Sequence, residues 1–143
     1  MVEITTNKID IQQIIQSVVD PGAGGIDVFI GTTRDNAHGK RVLWLEYEAY
    51  EPMATATMKQ IVVEAQTKWK LNKISVIHRI GRVDIGEASV VIAVSSAHRD
   101  EAFKACRFLI DQLKQTAPIW KKEYFEDGES WVNPVEPNVS KSL

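Results

Sequence analysis

The apolar residues of this chain follow two spacings, one typical of helices and one typical of strands. Helical spacing predicts three helices, over residues 11–18, over residues 52–70 and from about residue 96 onward. Asp10 and Gln13 have the spacing of a capping box before the first helix, and Pro118 cannot continue the third. The apolar stripe predicted for the third helix consists of Ala102, Phe103, Cys106, Leu109, Ile110 and Leu113.

Alternating or continuous apolar runs predict six strands around these helices. The strands cover residues 26–30, 42–50, 74–79, 88–95, 119–125 and 131–132, with a turn bracketed by Gly81 and Gly86 and a hairpin at Asp127-Gly128. The run 88–95 is nearly all apolar, which predicts a central strand buried on both faces. The predicted order is α-β-β-α-β-β-α-β-β, a single α+β domain with a largely antiparallel sheet.

Length and composition fit one folded domain. The chain has 143 residues, of which 44% are hydrophobic and 25% charged, as in ordinary globular proteins. We expect residues 1–133 to form the domain and residues 134–143 to form a flexible C-terminal tail. Nineteen acidic and seventeen basic residues give a formal net charge of −2, which argues against a general nucleic-acid coat or a polybasic membrane anchor.

The cysteine content and the N-terminal segment predict a cytoplasmic protein. Cys106 has no partner for an internal disulfide, which fits a reducing compartment. Its place on the apolar stripe favours a buried thiol over a nucleophile. Residues 1–13 lack the basic start and apolar run of a secretory signal, and no run approaches the ~18 apolar residues of a membrane span. We therefore expect no membrane contact.

Common cofactor motifs and metal-ligand spacings are missing from the sequence. The glycine-rich run 22–25 precedes a predicted strand, whereas a dinucleotide fingerprint links a strand to a helix. His38, His78 and His98 are scattered, without a second ligand one helical turn or two residues away. The sequence therefore predicts neither a metal site nor a bound dinucleotide.

Five cationic residues lie where predicted elements begin or end. Taken singly, such residues are more often structural: a lysine can interact with the negative end of a helix or lie on a solvated strand face. The five residues are Arg34 after the first strand, His98 and Arg99 at the start of the third helix, Lys114 near the end of that helix, and Lys121 in the following strand.

The charge around these residues is concentrated. Residues 98–122 hold six Lys or Arg and three Asp or Glu, a local +3 that leaves −5 for the rest of the chain. A pocket that pools the five cations would bind a multiply anionic small molecule, and crowded lysines have lowered pKa values that suit base, acid or nucleophile chemistry. The alternative is a non-catalytic module that docks an acidic partner or an RNA. Cations at turns, rather than along an extended aromatic face, favour the pocket.

Five blocks of the sequence resemble, in order and with matching gaps, those of one known family. They are FIGTTRDN (29–36), LEYEAY followed by PM (45–53), IHRIG (77–81), VSSAHR (94–99), and LK with APIWKKE (113–123). Over about residues 24–131 the chain is similar to the large, catalytic subunit of molybdopterin synthase, the MoaE family. The resemblance implies an α/β hammerhead fold and a homodimer within a heterotetramer.

The same resemblance implies a partner and a reaction. Each copy would bind a small ubiquitin-like sulfur-carrier subunit whose C-terminal Gly-Gly tail bears a thiocarboxylate. The family converts cyclic pyranopterin monophosphate to molybdopterin by installing two sulfurs as a dithiolene, a step in molybdenum cofactor biosynthesis. No metal or organic cofactor is expected in the large subunit, and no nucleic-acid partner.

The resemblance also implies roles for individual residues. Lys114 and Lys121 match the family's two key lysines: Lys114 for acid/base or transient covalent work on the substrate, Lys121 for polarising the thiocarboxylate or the intermediate. Arg34, His98 and Arg99 would bind anionic groups, with Phe29 shaping the wall of the pocket. Three further expectations concern other residues: His78 is as easily architectural as catalytic, Trp120 packs with Trp131 across the hairpin, and residues 133–136 lack the basic residue that some members carry there.

Overall fold

Nine strands and three helices make up residues 1–132, the part of the chain that the computed structural model describes. The predicted tail, residues 134–143, lies outside the described residues. The helices are α1 (Ile11–Ser17), α2 (Glu51–Lys68) and α3 (Arg99–Thr116). The strands are β1 (Val2–Thr5), β2 (Gly25–Thr32), β3 (Asn36–Ala37), β4 (Lys40–Ala49), β5 (Lys73–Arg79), β6 (Gly81–Asp84), β7 (Ala88–Ser96), β8 (Ile119–Phe125) and β9 (Gly128–Val132).

The first sheet has the strand order β1-β5-β7-β2 and separates two layers of helix. Only the β1–β5 pair is parallel. Along β7, Val90, Ile92 and Val94 join the main core with α2 and α3, whereas Val91 and Ala93 pack with α1. Because a strand presents alternate side chains to opposite faces, a strand covered on both sides must be apolar throughout. The predicted central strand is confirmed.

The second sheet is built around β4, which pairs antiparallel with both β6 and β8. Its order is β3-β4-β8-β9, and β6 pairs with the edge of β4 opposite to β8. The chain passes from β5 of the first sheet directly into β6 of the second at Ile80. Register places Tyr47 of β4 opposite Gly81 on one side and Lys121 on the other. The junction between the sheets therefore carries residues of β4, β5 and β8 close together.

The predicted α+β class and largely antiparallel pairing are confirmed, with three short strands added. Strand β1 pairs in parallel with a strand about seventy residues away, and no local sequence pattern predicts this pairing. Strand β3 has only two residues and turns through His38 (φ 54°) and Gly39 (φ 74°), both left-handed. Strand β6 occupies the segment predicted as a turn. The pairings of β1 and β6 come from tertiary context rather than from local propensity, whereas β3 pairs with β4 through a local two-residue turn.

One packing prediction is wrong: Phe103 is predicted on the core stripe of α3, but its side chain is 54% exposed and Ala105 is buried instead. Trp120 lies opposite Glu48 and Trp131 lies opposite Lys122, so the two tryptophans are diagonal rather than direct neighbours across the hairpin. The ammonium of Lys122 is 4.9 Å from the Trp131 ring centroid, a cation–π contact. Cys106 is buried as predicted, and burial raises the pKa of its thiol to about 12.

The glycine-rich run before β2 is explained by close packing against the start of α3. A Cβ added at Gly24 would lie 2.5 Å from the carbonyl oxygen of Ala97, and one at Gly25 would lie 3.3 Å from the Cα of Arg99. Backbone atoms at these positions cannot move aside as side chains do. The run therefore lets the strand approach the helix closely.

Gly24→Ala should destabilise the fold by about 1–3 kcal/mol, the usual cost of forcing extra atoms into a packed site. Urea denaturation followed by circular dichroism measures the change in the free energy of unfolding. Gly22→Ala is the control: its nearest neighbours, at 3.2 Å, are the side-chain ends of Asn72 and Asp20, which can move. Equal losses in the two variants would contradict the explanation.

Candidate active site

The two predicted catalytic lysines line one cavity at the junction of the sheets. Lys114 lies in the last turn of α3, and Pro118 stops the helix so that the chain reverses into β8 and brings Lys121 to the same place. Both side chains are half-buried. The wall also includes Tyr47, His78, Ser89 and Val132. The two lysines are seven residues apart in the sequence, and the chain reversal at Pro118 brings their side chains to the same cavity.

Arg34 joins the lysines from the loop after β2. It lines an adjoining cavity together with Asn36, Lys121 and Glu123. Its charge is close enough to lower the pKa of both Lys114 and Lys121. Three of the five predicted cations are thus neighbours in the structure.

Burial and mutual repulsion change the protonation of the lysines. Desolvation, followed by the charges of Lys121 and Arg34, lowers the pKa of Lys114 from 10.5 to about 7. Desolvation and Arg34 also lower the pKa of Lys121, but the carboxylate of Glu123 opposes this shift. At neutral pH the cavity therefore holds Lys114 with a large fraction of free amine beside a lysine whose ammonium form is supported by a carboxylate.

The buried carboxylate of Glu123 is the negative counterpart of this cluster. The residue is 4% exposed, and its Oε1 atom has no hydrogen-bond partner. His38 Nε2 lies 3.3 Å from that oxygen, within ion-pair distance but without hydrogen-bond alignment. A carboxylate held in so dry a place acts on Lys121 at short range and is little screened by salt.

Three polar wall residues were not assigned to the site from the sequence. Tyr47 and His78 are each 7% exposed, and Ser89 is 1% exposed. The Tyr47 and His78 rings meet edge to face with centroids 5.0 Å apart, and burial raises the pKa of the Tyr47 hydroxyl. Tyr47 has the strand parity of the buried residue Leu45, so alternation along β4 was the signal that placed it inward.

Comparison with known proteins agrees with this arrangement. The family described as "MoaE protein" matches residues 4–116. The chain belongs to the MoaE family. It is 52% identical over 130 residues to the molybdopterin synthase catalytic subunit of Bacillus subtilis strain 168, covering 91% of this chain and 83% of that protein. It is 44% identical over 131 residues to the protein of the same name from Homo sapiens, covering 92% of this chain and 70% of that protein.

A solved structure matches the fold of this MoaE-family chain over nearly its whole length. The X-ray crystal structure of molybdopterin synthase from Staphylococcus aureus superposes with a TM-score of 0.87 at 39% identity, covering 91% of this chain and 95% of that one. Its relatives are named as catalytic subunits, so the chain is an enzyme subunit with a transferase role. The recognised family is thereby confirmed.

The remaining two predicted anion-binding residues of this MoaE-family chain lie at the opposite end of α3. Fifteen residues separate Arg99 from Lys114, which is about 22 Å along a helix. His98 is the N-cap of α3, and both residues are exposed in a surface pocket that also includes Gly24 and Phe103. One copy of the chain therefore does not bring all five cations into one pocket.

Phe29 also lies away from the lysine cavity. It is half-buried in β2, opposite Ile92, and packs against the main core. Its predicted place in the pocket wall is therefore not seen among the cavity residues of a single chain.

Three of the six Lys and Arg residues within residues 98–122 form local ion pairs. Lys104 pairs with Asp100 at 2.9 Å and Arg107 with Asp111 at 3.6 Å along α3. Lys122 pairs with Glu129 at 2.8 Å across the hairpin. The ion pairs recorded within residues 1–132 include neither Lys114 nor Lys121. These two lysines thus remain available for an anionic ligand.

Within residues 1–132, no group of three or more His, Cys, Asp or Glu side chains is placed to hold a metal ion. No helix in the same range is long and apolar enough to cross a membrane.

Proposed function

We propose that this chain transfers sulfur from the C-terminal thiocarboxylate of a small ubiquitin-like carrier protein to cyclic pyranopterin monophosphate, forming the dithiolene of molybdopterin. The observation that carries the proposal is the pair of half-buried lysines, Lys114 and Lys121, that share a cavity without a recorded ion pair and adjoin Arg34. Both lysines also lie in one of the five sequence blocks that carry the family resemblance, LK with APIWKKE (113–123). Within the transferase role, the reaction that we propose is therefore sulfur transfer.

The charge of the cavity suits both reactants. The substrate carries a cyclic phosphate and the donor carries a thiocarboxylate, so both are anions. Three neighbouring cations attract them, and the partly buried position strengthens each interaction relative to water. Phosphate and carboxylate are also the anions that a planar guanidinium such as that of Arg34 binds in a bidentate manner. We assign anion binding to Arg34 and, at the far end of α3, to His98 and Arg99.

The different surroundings of the lysines suggest different tasks. Lys114, with a pKa of about 7, supplies a free amine that takes a proton from the substrate or forms a transient covalent bond with it. Lys121, whose ammonium is supported by Glu123, polarises the thiocarboxylate or the intermediate. One lysine acts through its lone pair and the other through its charge.

The proposed assembly contains two kinds of chain. The names of the relatives call them catalytic subunits, which supports a second component. We propose a homodimer in which each copy binds one carrier, a heterotetramer, with the Gly-Gly tail of the carrier entering the lysine cavity. Phe29 would contribute to the wall that this tail meets.

Reconstitution with purified components tests the proposed function. The chain is mixed with cyclic pyranopterin monophosphate and a thiocarboxylated carrier, and dithiolene product is measured. The same carrier ending in an ordinary carboxylate is the control and should give no product. Absence of product with the competent carrier would refute the proposal, as would tight, salt-dependent RNA binding without carrier binding.

A further inference from the structure

The imidazole of His78 forms part of the wall of the lysine cavity. It lies in β5, where its neighbours across the sheet are Ile4 of β1 and Val90 of β7. The residue is 7% exposed, and it lines the same cavity as Lys114 and Lys121. Burying an imidazole costs folding free energy unless its polar atoms form hydrogen bonds.

One hydrogen bond fixes the tautomer of this ring. His78 Nδ1 lies 2.8 Å from the carbonyl oxygen of Arg79. A carbonyl oxygen can only accept, so Nδ1 carries the proton and donates. In the neutral ring Nε2 is then an acceptor with a free lone pair. Within residues 1–132 the structure records no hydrogen-bond partner for Nε2.

The ring stays neutral across the physiological pH range. Burial, followed by the charge of Lys114, lowers the pKa of His78 to about 4, although the Arg79 carbonyl opposes the shift. The titratable groups that share its cavity are Lys114 from α3, Lys121 from β8 and Tyr47 from β4. None of these is a carboxylate that would favour the imidazolium. Nε2 therefore remains an acceptor when a ligand arrives.

The charged side chains that line this cavity are Lys114 and Lys121, whose ammonium forms only donate. The carboxylate of Glu123, the nearby charged acceptor, lines the adjoining cavity. The hydroxyl of Ser89 donates to the carbonyl oxygen of Gly31 at 3.3 Å. A heterocycle that carries ring N–H or hydroxyl groups must place those donors against an acceptor, or it loses their hydrogen bonds with water.

We propose that His78 Nε2 accepts a hydrogen bond from a ring N–H or hydroxyl of the substrate heterocycle and orients it beside Lys114. This inference rests on the proposed function, because it assigns the donor to the same substrate. His78 is a substrate-binding residue in this proposal and takes no part in bond making. The cations bind the anionic end of the substrate, and His78 binds a donor on its ring.

Two substitutions separate the roles of the two ring nitrogens. His78→Asn can keep a donor to the Arg79 carbonyl but removes the acceptor at the position of Nε2. His78→Gln places an amide oxygen near that position and is the matched control. We expect the Asn variant to bind cyclic pyranopterin monophosphate about tenfold more weakly than wild type. The Gln variant should stay within about threefold, and neither change should alter carrier affinity.

Calorimetric titration of substrate, and separately of carrier, gives these affinities. If wild type and His78→Asn bind the substrate equally, the role of His78 is refuted while the proposed function stands. If wild type itself does not bind the substrate, both proposals fail. Nitrogen NMR of the wild-type imidazole provides a test without substitution: the Nε2 resonance should be that of an unprotonated nitrogen and should move when substrate is added. An unmoved resonance at saturating substrate would also refute the role of His78.

Discussion

Lys114→Ala is expected to lower the rate of dithiolene formation about 1,000-fold. The substitution removes the amine that we assign to proton transfer or transient covalent chemistry, and such groups contribute about 100- to 10,000-fold. Single-turnover assays with saturating thiocarboxylated carrier measure the effect on the chemical step. Lys104→Ala is the matched control, because Lys104 lies on the same helix, is exposed and pairs with Asp100. A Lys114→Ala variant that retained a tenth of the wild-type rate would refute the assignment.

Unfolding does not account for this expected loss, since the lysine destabilises the folded chain. The pKa of Lys114 is about 7 in the folded protein and 10.5 ordinarily, so the unfolded chain binds more protons between these values. The loss of folding stability caused by half-burying the Lys114 ammonium is therefore greatest below pH 7 and vanishes as the pH approaches 10.5. Lys114→Met, which keeps the apolar stem, should be more stable than wild type by roughly 1–2 kcal/mol below pH 7. Thermal denaturation at several pH values checks the sign.

The sequence predicted the helices and the long strands because their signals are local. The N-cap predicted at Asp10 is present in the structure, where the Asp10 carboxylate accepts a hydrogen bond from the backbone N–H of Gln13 at 3.1 Å. Pro52 lies in the first turn of α2, as its missing N–H allows. Amphipathic spacing and capping depend on neighbours within one turn, so one sequence is enough to find them.

The sequence predicts part of the candidate site. It succeeds where a local feature of the sequence places two residues together and fails where only the tertiary fold decides their distance. Lys114 and Lys121 are separated by one chain reversal, which Pro118 marked in the sequence. His98 and Arg99 also lie where predicted elements meet, and the sequence predicts them in the same pocket, but the length of α3 separates them from the lysines. A net local charge carries no information about which face of a helix each charge occupies, or which acid pairs with it.

The wall residues Tyr47 and Ser89 were missed for a different reason. They lie on β4 and β7, strands of two different sheets, and only the tertiary fold brings them to one cavity. Alternation predicts that Tyr47 points inward but not that its inward side meets a lysine. His78 shows the same limit, because the IHRIG block marked it without deciding between packing and chemistry.

Lys121→Ala is expected to lower the rate of dithiolene formation about 100-fold, the scale of losing one preorganised electrostatic contact to developing charge. Lys122→Ala is the matched control: its ammonium pairs with Glu129 at 2.8 Å and contacts the Trp131 ring, so its loss should change the rate less than about threefold. Both variants are measured in the same single-turnover assay at saturating carrier. Equal losses in the two variants would show that charge near β8, and not the position of Lys121, supports the reaction.

The pH profile separates an electrostatic role of Lys121 from a structural one. With Lys114 acting as a free amine, the wild-type rate should rise with pH through a midpoint near 7. The groups that lie around this amine are Lys121, Arg34, His78 and Tyr47. The Lys121 charge lowers the pKa of Lys114, so Lys121→Ala should move the midpoint to higher pH, and a variant whose packing alone is damaged should not. An unchanged midpoint would mean that the two lysines act independently, because a charge that repels the Lys114 ammonium must, when removed, make that ammonium easier to form.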